Sequence, residues 1–144
     1  MAKSRVLVAL RDRESVESLV TLACQVANGM DADLLALHVV EIPMATPIGA
    51  DDAVLDQPGK EILAVAERHA AGKFSRRIST ELLRARRAGE AVVGVAKERG
   101  IDCLVMGHRR LTILGEVLLG SSVQYAARHA PCRIIVEIPP LQAS

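Results

Sequence analysis

The chain has 144 residues, a formal net charge of +1, and a composition that is half hydrophobic with one Tyr, one Phe and no Trp. That is the size of one ordinary domain, residues 1–144, with an aliphatic core built from Val, Ile, Leu and Ala. Balanced charge and missing aromatic platforms argue against a nucleic acid or an anionic membrane as partner.

Apolar runs of strand length alternate with segments of helical period. Arg5 to Leu10 (RVLVAL) reads as the first strand. Glu14 to Gly29 follows as a helix, with Val16, Leu19, Val20, Ala23, Val26 and Ala27 on one face and Gly29 as its C-cap. Asp33 to Val40 (DLLALHVV) is apolar on both faces, as a strand buried in a parallel sheet should be. Glu41 to Gly59 carries three prolines and two adjacent aspartates and reads as a long connection, of the kind that is usually functional or mobile.

Lys60 to about Lys73 is expected to be helical. Ile78 to Arg86 is the third strand, and its polar residues suggest an edge. A helix over Gly89 to Arg99, ended by Gly100, leads to a fourth strand over Asp102 to Met106. The loop GHRRLTILGEVLLGSS, a short helix from Ser121 to His129, and a last strand over Cys132 to Ile138 complete the chain. The alternation implies one α/β unit, a parallel sheet with helices on both faces and right-handed crossovers.

In such a sheet ligands bind beyond the carboxyl ends of the strands where the strand order reverses. The exits of the first and fourth strands, Arg11 and Gly107, are the candidates. Gly120 permits close backbone approach, and the amides that open the following helix would face an anion. An ordinary helix start capped by Ser accounts for the same residues. His108, Arg109 and Arg110 add charge, either to clamp phosphate or to face solvent.

Nothing points to catalysis with comparable strength. His38, His69, His108 and His129 lack metal-ligand spacing, and no metal site is expected. His38 reads as a satisfied core histidine. There is no GxSxG elbow and no Walker loop. Cys24, Cys103 and Cys132 have no CxxC spacing and read as free, buried thiols of a reducing compartment. No secretory leader or bilayer-length apolar run is seen, which places the chain in the cytoplasm.

Over nearly its whole length the chain resembles the universal stress protein family. The resemblance is carried by RVLVAL with ESVESLVTLACQVA, by LLALHVVEIP, and above all by VMGHRRLTILGEVLLGSSVQYAARHAPCRIIVEI. The family signature is Gly, two residues, Gly, nine residues, then Gly-Ser or Gly-Thr; Gly107, the spacer Leu111 to Leu119, Gly120 and Ser121 fit it.

The resemblance implies a doubly wound five-stranded parallel sheet of order 3-2-1-4-5, like that of the adenine-nucleotide α-hydrolases. It implies an adenine nucleotide such as ATP, with its Mg2+, at the strand-one and strand-four exits. Ala9 and Arg11 would flank the adenine with Val39 nearby. Met106, Gly107, Gly120, Ser121 and Ser122 would line ribose and phosphates, and the loop after strand two would form part of the lid. It also implies a homodimer through the last strand, Cys132 to Ile138, and a role in regulation rather than turnover.

Two positions depart from the pattern. Arg110 replaces the second glycine, and Arg11 replaces the usual Asp, with Asp12 one place later. Arg11 cannot accept a hydrogen bond from a ribose hydroxyl or adenine amine. Either the site takes a different phosphorylated ligand, or the chain is a dimeric interaction module with an altered pocket. VALRDRESVESLVTLACQVA and LLALHVVEIP also resemble stress-protein domains attached to amino-acid permeases and cation/proton antiporters, which makes a membrane transporter a candidate partner.

Overall fold

A computed structural model of the chain describes residues 3–51, 53–75, 78–108, 111–113 and 116–140. Its elements are β1 (Arg5–Ala9), α1 (Val16–Met30), β2 (Asp33–Glu41), α2 (Ala53–Ala70), β3 (Ser79–Ala85), α3 (Ala88–Glu98), β4 (Cys103–Gly107), β5 (Leu111–Ile113), β6 (Glu116–Leu118), α4 (Ser121–His129) and β7 (Arg133–Glu137).

The main sheet has five parallel strands in the order β3-β2-β1-β4-β7. Counting its strands alone, this is the expected 3-2-1-4-5. The central strands have no polar face. Val6, Leu7, Val8, Leu104 and Val105 are completely buried, each worth about 1.5–3 kcal/mol relative to exposure. Successive side chains alternate between two apolar layers. Val6, Val8, Ala36, Cys103 and Val105 pack with α1 and α2. Leu7, Leu37, Leu104 and Met106 pack with α3 and α4.

Most boundaries shift by one or two residues from the sequence reading, and several differences have a physical reason. α1 runs past Gly29 to Met30 and is closed by Asp31 at φ 52°, whose N–H reaches the Ala27 and Asn28 carbonyls; a short polar side chain tolerates this left-handed conformation. α2 starts at Ala53, not Lys60, and takes Pro58 inside it. Asp56 in its first turn is paired with Arg84, and Gly59, beside the proline, lies close to His38 and Leu82 of the sheet. Leu111–Ile113 and Glu116–Leu118, read as loop, form a small antiparallel pair. The last strand covers Arg133–Glu137, inside the expected range. As expected, Gly100 takes a positive φ of 60° after α3, and β3 lies at an edge.

Candidate functional site

The carboxyl ends of β1, β2 and β4 lie side by side, with Ala9 opposite both Leu37 and Met106. Ala9, Val39 and Met106 all face the α3–α4 layer. This is the layer to which α4 belongs, so the start of α4 at Gly120, Ser121 and Ser122 lies on the same side as the three apolar residues. The structure therefore brings together most of the positions that the sequence singled out. Arg110 and its neighbour Arg109 lie outside the described residues.

The route from β4 to α4 explains two signature glycines by packing. A Cβ on Gly107 would stand 2.8 Å from Cδ1 of Leu19 in the buried face of α1. His108 then extends the sheet, its N–H donating to the Glu137 carbonyl at 2.9 Å, and its side chain turns inward to 9% exposure. His108 Nδ1 accepts a hydrogen bond from the Gly120 N–H at 3.3 Å. A Cβ on Gly120 would meet the His108 ring at 3.3 Å. The sequence offered no signal for this pairing, because the two residues are 12 apart and on no common periodic face.

α4 opens without the serine cap that local sequence favoured. Gly120 is the N-cap, extended at φ −67° and ψ 163°, with no side-chain cap hydrogen bond. Ser121 and Ser122 are the first two helical residues, exposed and half-buried respectively. A helix start of this kind presents backbone N–H donors and the positive end of the helix dipole.

The exit of β1 is built differently. Arg11 is exposed. Asp12, one place later, is engaged locally: its Oδ1 accepts the Ser15 N–H at 3.0 Å and its carbonyl accepts the Ser15 hydroxyl at 3.4 Å. This local bracing, from residue i to i+3, leads into α1.

The remaining candidates are structural. His38 donates from Nδ1 to the Leu10 carbonyl at 2.7 Å, so it is a satisfied histidine. The three thiols are free, and burial pushes each of them above its ordinary pKa. Cys103 and Cys132 belong to opposite faces of the sheet. A shallow groove of about 410 Å³ runs between α1, His69 of α2 and Glu137 of β7, spanned by Thr21–His69 and Ser18–Glu137 hydrogen bonds; it contains none of the expected site residues. Among the described residues no three His, Cys, Asp or Glu side chains are grouped to hold a metal, and no helix is long and apolar enough to cross a membrane.

Comparison with known proteins agrees with this architecture. A universal stress protein of Methanocaldococcus jannaschii is 28% identical over 120 residues, covering 79% of this chain and 69% of that protein. Among solved structures, UspA of Lactobacillus plantarum superposes with a TM-score of 0.73 at 23% identity, over 94% of this chain and 98% of its own. A universal stress protein in complex with cAMP gives 0.71 at 23% identity, over 96% and 98%. The Archaeoglobus fulgidus universal stress protein in complex with dAMP gives 0.72 at 17%, over 94% and 98%. The universal stress protein family matches residues 3–136. The chain belongs to the universal stress protein family.

Proposed function

We propose that the chain is a regulatory domain that binds an adenine nucleotide, or a related phosphorylated ligand, where the carboxyl ends of β1 and β4 meet the start of α4. The observation that carries this reading is the placement of Ala9, Val39 and Met106 on one face of the sheet, in the layer that holds α4. Ala9 and Val39 are only partly buried there, whereas Met106 is core at 4% exposure; a partly open apolar edge beside a helix start suits a ligand with a flat base at one end and an anion at the other. The complexes of two structural neighbours with cAMP and dAMP support the same ligand class.

The residues fit the anion better than the sugar. The uncapped start of α4 after Gly120 supplies backbone donors, the Gly120 N–H itself being engaged by His108. At the exit of β1, Arg11 has no acceptor to offer a ribose hydroxyl and the Asp12 carboxylate already serves Ser15. ATP with its Mg2+ is therefore one candidate and a nucleoside monophosphate another. Binding would be read out as regulation, with no residue assigned a catalytic role. A thermal-shift series with ATP, ADP, AMP, dAMP, cAMP and cyclic dinucleotides tests the reading, because a ligand that binds only the folded state raises the melting temperature. No shift with any of them sinks it.

A second reading is a cytoplasmic interaction module with an altered pocket, pairing with itself or with a membrane transporter. It is favoured by the Gly120 amide being engaged by His108 within the chain. It is also favoured by the position of β7 at the sheet edge with Ile134, Ile135 and Val136 only partly buried, since an open edge invites strand addition. Sedimentation that finds a monomer at micromolar concentration removes the homodimer.

A further inference from the structure

The connection from β2 to α2 reads in the sequence as a long proline-bearing loop and as part of a lid. In the structure its carbonyl groups are gathered by two arginines, Arg84 in β3 and Arg86 just beyond its end. Arg84 donates from Nε and Nη2 to the two carboxylate oxygens of Asp56, at 2.9 and 3.0 Å. Its Nη1 donates to the carbonyls of Ile48, at 3.1 Å, and Ala50. Arg86 Nη1 donates to the carbonyls of Ile42 at 3.3 Å, of Pro43, and of Thr46 at 2.6 Å. Two internal turns complete the loop, from the Thr46 N–H to the Pro43 carbonyl at 2.9 Å and from the Ala50 N–H to the Pro47 carbonyl at 3.1 Å.

The direction of this anchoring matters. Arg84 alternates with Leu83 and shares its strand face with Leu82, which packs against the α1–α2 layer. Asp56 belongs to α2. Ala9, Val39 and Met106 are on the opposite face. A two-pronged guanidinium–carboxylate contact is geometrically demanding, and here both side chains are about four-fifths shielded, at 20% and 21% exposure. With five loop carbonyls turned toward the arginines, the side chains of Met44 and Ile48 are left in solvent.

We propose that Arg84 and Arg86 are positioning residues that latch the β2–α2 loop to the α2 side of β3 in the ligand-free chain, so that the loop is a fixed rim of the sheet and not a lid that closes on ligand. The latch stands apart from the nucleotide reading, since every contact in it is made within the chain.

Hydrogen exchange of the full chain tests it, read at the Thr46 and Ala50 amides and compared with amides of α1. In the wild type both loop amides are protected without ligand, and nucleotide leaves their exchange unchanged. In Arg84→Gln and Arg86→Gln they exchange about 10- to 100-fold faster while α1 keeps its protection, because local opening costs less than global unfolding. Arg84→Lys, which keeps the charge but loses the fork, falls between. Loop amides that are unprotected in the free wild type and slow only on adding AMP or cAMP overturn the proposal in favour of a lid. Exchange unaltered by both Gln variants overturns it as well. A wild type that binds no nucleotide removes the functional reading, yet the comparison of ligand-free variants still decides the latch.

Discussion

The connections that leave β2 and β4 solve the same problem in opposite ways. Both carry chain from the carboxyl rim of the sheet to the start of a helix. After β2 the backbone is closed on itself, with carbonyls on Arg84 and Arg86 and the first turn of α2 tied through Asp56. After β4 the helix begins at a glycine with no capping side chain, and one imidazole is packed against it. The lesson is that proline content does not mark the loose connection of this rim. The shorter, proline-bearing connection is the fastened one, and the longer one leads to the uncapped helix start.

The two sides of the rim, α2 after the first connection and the glycines of the second, should respond differently to added bulk. Gly59→Ala is expected to have the largest effect, because its Cβ would stand 2.6 Å from both His38 Cδ2 and Leu82 Cδ1. Overpacking of this kind costs about 2–3 kcal/mol, and denaturant unfolding measures it. A loss within error of zero would show that the fastened side is loosely packed. Gly107→Ala comes next, at about 1–2 kcal/mol, since the clash falls on the end of one buried leucine. A double-mutant cycle with Leu19→Ala should recover about 1 kcal/mol of coupling, and strict additivity would contradict the packing account of Gly107.

Gly120→Ala is milder, below about 1 kcal/mol, because a contact of 3.3 Å asks the His108 ring to move only slightly. The same substitution should still weaken nucleotide binding if the start of α4 holds the anion, so a thermal shift retained at full size would separate Gly120 from the site. The smallest effect is on acid tolerance. The Arg84 hydrogen bond holds the Asp56 carboxyl below its usual pKa. A carboxylate whose folded value is depressed contributes fully above its unfolded pKa and loses that contribution as pH falls through the folded one. Protection of the Thr46 and Ala50 amides, corrected for intrinsic rates, should therefore be constant from about pH 8 to about pH 5 and fall only below about pH 4. Fading near pH 6 would assign the latch to a histidine instead.

The sheet was legible in the sequence because its signals are local. RVLVAL, DLLALHVV and DCLVM are apolar on both faces, and such strands fit only a covered parallel sheet. The strand order and most of the site positions came from the resemblance of whole segments, with Gly107 and Gly120 at the signature spacing. What escaped was set by distant partners. The first turn of α2 is held by a contact between Arg84 and Asp56, 28 residues apart, and a proline in that segment argued for a later start. His108 reads as one charged residue among three until its ring is seen against Gly120. The cap of α4 was misassigned because Ser121 is a good capping type, whereas the residue that takes the extended conformation is the glycine before it.

Amide chemical-shift mapping during titration with AMP tests the central claim most directly. The account predicts that the largest perturbations fall on Gly107, Gly120, Ser121 and Ser122, with Ala9 and Met106 following and the Thr46 and Ala50 amides still. Saturation with no perturbation at the start of α4, or with shifts confined to the groove beside Thr21 and His69, would contradict it.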